Sequence, residues 1–194
     1  ALQPWLLAGI LLWVAIATVQ ISAGFYFQDR LHLDGGTAAR MLSVALTLVG
    51  IAMFAVQFLQ VKVMGFTPRV LVLSGAGSWT VGLLLLLSTA NAPVYYLAYT
   101  LLGLGAGFLL PGIMAGASLA VGHDNQGAAA GLVSASQGIG FIVGPAASTI
   151  LYEWNEALPF WSLAVLMVAL ILKSRSFRCM APGSRMPANG GHDA

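Results

Sequence analysis

The sequence predicts an all-α integral membrane protein of six membrane-spanning helices, and three observations carry that reading. Of its 194 residues 59% are apolar and only 7% are charged, whereas a soluble domain carries about 25% charge and needs it to cover its surface. Runs such as Val-Gly-Leu-Leu-Leu-Leu-Leu at 81–87 are apolar on every face, where a transmembrane β-barrel would alternate in segments of about ten residues. Length sets the number: one span takes about 20 residues, so six use about 120 and leave about 70 for connections and tails. The same composition excludes other classes. Apolar residues are too abundant for disorder, and a net charge of +2 offers no basic face for nucleic acid. The single cysteine, Cys179, can form neither an intrachain disulfide nor a Cys-x-x-Cys site.

Polar interruptions bound the spans. The first covers about 5–28 and stops at Asp29-Arg30. Asp34-Gly-Gly-Thr37 offers a turn and a helix cap before the second, at 38–61. A short loop around Gly65 leads to Pro68, which suits a first helical turn and opens the third span, 68–87. The fourth, 94–122, is long, with Pro111 in its middle and glycines at 103, 105, 107, 112 and 116. His123-Asp-Asn-Gln126 separates it from the fifth, 127–152, and Glu153-Trp-Asn-Glu156 precedes the sixth, 157–172. Residues 1–175 read as one transmembrane domain, and 176–194, rich in Gly, Pro and basic residues, as a disordered cytoplasmic tail. The apolar run starts close to Ala1 without the positive region that opens a signal peptide. The expectation is a chain cut from something longer.

The charges also give an orientation. With both termini in the cytoplasm, Lys62, Arg69, Lys173, Arg175, Arg178 and Arg185 lie inside and only Arg30 and Arg40 outside, which obeys the positive-inside rule. No Asp, Glu, Lys or Arg falls in the interior of a span. An intramembrane charge normally marks an ion or proton pathway, so a coupling carboxylate is expected elsewhere. The polar groups are unevenly shared. Thr18, Gln20, Ser22 and Tyr26 lie in the first span, Ser43, Thr47, Gln57 and Gln60 in the second, five each in the fourth and fifth, and few in the third and sixth. Taken in threes, the chain reads polar, polar, apolar, twice over, as a 3+3 inverted repeat would.

The most specific segment runs Leu102-Gly-Leu-Gly-Ala-Gly-Phe-Leu-Leu-Pro111, then Asn125-Gln-Gly-Ala-Ala-Ala-Gly-Leu132, then Gln137-Gly-Ile-Gly-Phe-Ile-Val-Gly-Pro145. Gly103/Gly107, Gly112/Gly116 and Gly140/Gly144 are small-xxx-small pairs that let helix backbones approach closely. Pro111 and Pro145 each remove a backbone donor and supply a bend. The expectation is a tightly packed hairpin of the fourth and fifth spans. This ordered layout resembles the major facilitator superfamily, and within it the drug-efflux antiporters related to tetracycline exporters.

Two departures say which six-helix half it resembles. The amino-terminal half of that family carries a Gly-x-x-x-Asp-Arg-x-Gly-Arg loop after its second span, and here Lys62 stands where the Asp would be. That half also carries an Arg four residues before the first glycine of its fourth span, and here that position is Tyr99. Leu158-Pro-Phe-Trp161 at the start of the last span fits the carboxy-terminal half, and Gly144-Pro145 lacks the Gly-Gly that usually follows in the antiporter motif. The resemblance therefore implies a carboxy-terminal half of 3+3 inverted repeats in an inner (plasma) membrane. Its partners would be membrane lipid, a missing amino-terminal half and a small-molecule substrate, with no cofactor and no catalysis.

By the same resemblance the first, second, fourth and fifth spans line or flank a substrate cavity and the third and sixth face lipid. Gln20 and Gln137 sit nearest mid-span and rank first as cavity residues, followed by Gln28, Tyr26 and Tyr99. Gln20, Gly24 and Gln28 share one helical face. Two other readings compete: a standalone six-helix assembly or regulatory protein, and an intramembrane enzyme built on Ser118. The second is weak, because no His lies in a neighbouring span to act as base. His32, His123 and His192 have no metal-ligand spacing.

Overall fold

Helix boundaries follow from local chemistry. Asp34 caps the second helix: its Oδ1 accepts the N–H groups of Gly36 at 2.9 Å and Thr37 at 3.1 Å, and its Oδ2 accepts the Thr37 hydroxyl at 2.6 Å. Those bonds, the Thr37 hydroxyl first, hold its carboxyl below the usual carboxylate range. The first helix stops at His32, which turns left-handed at φ 51°. Gly65, at φ 141°, makes the turn into the third helix. Prolines stand in the first turns of the third, fourth and sixth, where a missing N–H costs nothing.

The structure, a computed structural model, describes residues 2–62, 65–88 and 90–174; the tail expected over 176–194 lies outside the described residues. Those residues form six α-helices: α1 (Gln3–Leu31), α2 (Gly35–Lys62), α3 (Pro68–Ser88), α4 (Ala92–Leu119), α5 (Gln126–Trp154) and α6 (Leu158–Lys173), with a 3-10 turn, His123–Asn125, before α5. Five are long and apolar enough to cross a membrane. Helix α6 has 16 residues, about 24 Å at 1.5 Å per residue, against about 30 Å of hydrocarbon in a bilayer.

The packing has the symmetry that composition suggests. Helix α1 lies along α5 and α4 lies along α2, so exchanging the first three helices with the last three maps one seam onto the other. Helices α3 and α6 pack on each other, and α3 packs most extensively on α4. Short α6 has no comparable contact with α1, and there the symmetry breaks.

Two of the three glycine pairs close these seams, with partners other than the hairpin expected from sequence, while Gly112 lies against α3 and Gly116 against Trp5 of α1. Helices α4 and α5 touch only modestly. Gly103 and Gly107 face α2 instead: a Cβ on Gly103 would come 2.7 Å from the Cα of Val49, and one on Gly107 would come 3.1 Å from the Met53 carbonyl. Gly140 and Gly144 face α1, where added Cβ atoms would come 2.8 Å from the Val14 nitrogen and 2.9 Å from its carbonyl. Small-xxx-small spacing marks a face for close approach and leaves the partner open, which the adjacency of α4 and α5 in the chain does not decide. Helices α4 and α5 both run unbroken through Pro111 and Pro145. Pro111 has no N–H to offer the Gly107 carbonyl, and the Gln60 side-chain amide donates to that oxygen from α2 at 3.0 Å.

Candidate functional site

Two neighbouring clefts open where α1 and α4 diverge. The larger, about 220 Å³, lies between α1, α2 and α4. Ile16, Val19, Leu46, Val49, Met53 and Leu102 make it mostly apolar, and Gln20, Tyr99 and the indoles of Trp13 and Trp79 bring the polar groups. The smaller, about 150 Å³, lies between α1, α4 and α5, with Ser134 and Gln137 among Gly9, Leu12, Ile113, Met114 and Val133. Trp13 and Leu110 line both and so form the wall between them. No Asp, Glu, Lys or Arg lines either cleft.

The helices position these groups for identifiable reasons. Gln20 is exposed on α1, one turn before Gly24, which lies against Leu42 of α2. Gln137 is exposed on α5 between Val133 and Gly140, both of which are buried. Tyr99 is 1% exposed, with its ring edge-on to Phe27 at 5.5 Å. Trp79 reaches the cleft from α3 because glycines let α3 and α4 meet. A Cβ on Gly75 would lie 2.7 Å from the Gly105 carbonyl, and one on Gly105 would collide with the Trp79 ring. Tyr99 Oη and Trp79 Nε1 are both buried without a hydrogen-bond partner among the described residues.

Of the sequence-derived candidates, the structure brings Gln20 and Tyr99 together in the larger cleft and sets Gln137 in the adjoining one. It places Tyr26 and Gln28 elsewhere. Tyr26 is buried in an aromatic cluster, its ring centroid 4.5 Å from that of Phe160, and its hydroxyl donates to the Leu86 carbonyl at 3.3 Å. The Arg30 guanidinium lies 6.0 Å from the Tyr26 ring and pairs with Glu156 at 3.5 Å. Gln28 sits near the end of α1 beside Gly35, along the side of α1 that meets α2. Trp13 and Trp79 are cleft residues that sequence reasoning missed. Helix α6 lines neither cleft, whereas α3, read from sequence as facing lipid, contributes Trp79.

This arrangement can hold a compact apolar molecule beside a few hydrogen-bonding side chains, and no Asp, Glu, Lys, Arg or His lines it. Residues 5–185 match the sequence profile of the Major Facilitator Superfamily. The chain belongs to that superfamily. No curated protein matches it. The fold is similar to that in a crystal structure of a mutant of the peptide transporter POT, with a TM-score of 0.74 at 17% sequence identity. The match covers 92% of this chain and 38% of that one, so the chain spans well under half the length of that transporter. At such identity the likeness concerns the fold, and function has to be argued from the site. Membership of this transporter superfamily and five spanning helices make the chain an integral membrane protein of a secondary-transporter fold.

Proposed function

We propose that the chain is the carboxy-terminal six-helix half of a superfamily transporter whose two clefts form one wall of a pathway for small, largely apolar compounds. Alternating access would move them outward, with both chain termini in the cytoplasm. The observation that carries the reading is the larger cleft itself, a mostly apolar wall with four side chains that carry a polar atom and no charge. Such a wall takes up apolar groups by excluding water, and its few polar atoms orient the ligand. A charged substrate would lose hydration there without a counter-charge in return, and a coupling carboxylate would stand on the other half. The relation to drug-efflux antiporters rests on the Gly-Pro and glycine motifs of α4 and α5.

Two features support a second six-helix half. The chain matches 38% of a transporter with the same fold. Helices α2 and α5 also expose most of their surface, with Phe54 and Ile142 71% and 76% exposed. The test is reconstitution in liposomes, with the chain alone and with an amino-terminal half, following efflux of a neutral lipophilic dye. Transport is expected only from the pair, and joint Gln20→Leu and Gln137→Leu substitution should lower it about tenfold. Dye movement by the monomeric chain alone, or a pair indifferent to both substitutions, would overturn the proposal.

A further inference from the structure

We propose that the groove between α1 and α6 holds an acyl chain of an anionic phospholipid whose phosphate meets Lys173. The site shares no lining residue with either cleft, so it stands or falls independently of the substrate reading. It exists because one seam fails to close. The internal symmetry pairs α1/α6 with α3/α4, and glycines close α3/α4: a Cβ on Gly82 would lie 3.0 Å from the Ala98 carbonyl, and one on Gly112 2.8 Å from the Leu71 Cβ. Helix α6 contains no glycine, and Gly9 and Gly24 of α1 face Ser136 and Leu42 instead. The result is a cavity of about 250 Å³ between Pro4, Leu7, Ala8 and Leu11 of α1 and Ala169 and Lys173 of α6.

The lining selects the occupant. The four α1 positions fall at i, i+3, i+4 and i+7, one continuous apolar stripe along the helix, and an extended hydrocarbon chain matches it. An unfilled groove would forfeit the dispersion contacts that such a chain supplies. Lys173 stands one turn beyond Ala169 on the same face of α6, exposed and in no salt bridge among the described residues. Arg175 and Arg178 follow it in sequence. Helix length brings the headgroup to this cation. The 16 residues of α6 span about 24 Å, and a short span is met by local thinning of the bilayer and by snorkelling flanks. A zwitterionic headgroup matches less well, because no Asp or Glu lines the groove to meet its ammonium. With both termini in the cytoplasm, as proposed above, the groove opens to the leaflet that carries anionic lipid.

The experiment is native mass spectrometry of the full chain released from detergent micelles and titrated with phosphatidylglycerol or phosphatidylcholine of identical acyl chains. It reads the dissociation constant of the first lipid adduct and the oligomeric state together. Phosphatidylglycerol is expected to bind about fivefold more tightly, the effect of one lysine beside an anionic lipid. Lys173→Gln should bring that ratio close to one, whereas Arg69→Gln, which removes an exposed cation from the start of α3, should leave it. Ala169→Phe sets a ring in the groove with the charge intact and should weaken both lipids about tenfold, the loss of roughly two buried methylenes. Val165→Phe, on the same helix at a position 65% exposed and outside the groove, should leave both affinities unchanged. A ratio near one in the parent, or a preference that survives Lys173→Gln, would overturn the anionic assignment. Equal lipid affinities in Ala169→Phe and Val165→Phe would overturn the groove as the site. A dimer that Ala169→Phe disperses, with no saturable lipid adduct, would overturn the lipid in favour of a second copy of the chain.

Discussion

The α1/α5 and α2/α4 seams are equivalent by the internal symmetry of the fold and are held differently. Both close through glycines that place one backbone against another. Along α1/α5 Gly140 and Gly144 lie on α5 and Gly9 on α1 against Ser136, and polar ties follow in order: Thr18 donates to the Gly144 carbonyl at 3.3 Å, Ser22 pairs with Ser148, and Tyr152 donates to Asp29 at 2.5 Å. Along α2/α4 the glycines lie on α4, and the tie is the Gln60 bond to Gly107 at 3.0 Å. Between helices in lipid there is no hydrophobic driving force, so close contact and hydrogen bonds carry association. One seam thus combines both means, and the other rests mainly on contact. The larger cleft opens beside the second seam, where Val49 and Met53 both meet α4 glycines and line the cavity.

The largest expected effects come from removing what the seams share. Gly103→Leu and Gly140→Leu each force a side chain into backbone atoms under 3 Å away. Overpacking costs about 1–3 kcal/mol where neighbours can shift, and a helix backbone shifts less readily, so about 3 kcal/mol or more is expected. Thermal unfolding in detergent and folded yield in membranes report it. The contrast is Gly131→Leu, on the same helix as Gly140 with nothing within 4 Å of its Cβ position. That variant of the isolated chain should melt within a degree or two of the parent. Equal damage at 131 and 140 would mean that seam contact is not what the substitution disturbs, since helix propensity alone favours Leu over Gly.

These seams also show what the sequence could and could not convey. Helix positions were legible because so few charges occur and each interrupts an apolar run, and the glycine faces were legible from spacing alone. Pairing was not, since Gly103/Gly107 and Gly140/Gly144 say that something approaches and not which helix. Gln20, Tyr99 and Gln137 could be picked out as polar groups in apolar helices, although neither the shared wall at Trp13 nor the separation into two clefts could. Tyr26, read the same way, turned out to face an aromatic cluster, because periodicity does not distinguish the side of α1 toward Phe160 from the side toward α2. Trp79 was missed because its helix ends in a leucine run that reads as lipid-facing. Gly75, Trp79 and Gly82 at spacings of four and three were the available signal, and both glycines abut α4.

The polar ties separate the seams at an intermediate scale. Gln60→Leu leaves the Gly107 carbonyl unpaired in an apolar surrounding, and about 1–2 kcal/mol should be lost. In a Pro111→Ala background the backbone N–H at position 111 can serve that carbonyl, and the same substitution should then cost almost nothing. A double-mutant cycle between positions 60 and 111 is therefore expected to show coupling of about 1 kcal/mol. The matching cycle on Ser22→Ala and Ser148→Ala should give about 0.6 kcal/mol, the ordinary value for an interhelical bond. Coupling at the serines well above that at Gln60 would reverse the ranking. It would make the polar ladder, and not the proline-freed carbonyl, the stronger single tie.

The smallest effect expected is at the start of α2, where Asp34 caps the helix with fewer side-chain ties to its neighbour. The carboxylate form accepts the three bonds from Gly36 and Thr37, so its pKa is lowered in the folded state. A lowered carboxyl contributes stability that is complete above the unfolded value, about 3.9, and is lost as pH falls through the folded value. The melting temperature of Asp34→Ala should therefore lie below that of the parent by a constant, small margin from pH 7 to pH 5, and the margin should shrink below pH 4. Asp34→Asn keeps an oxygen that can accept the same N–H groups and carries no charge, so it should retain most of the cap and show no such pH dependence. If Asp34→Asn instead behaves like Asp34→Ala at pH 7, the charge near the positive end of the α2 dipole, and not the bonds to Gly36 and Thr37, is what begins this helix.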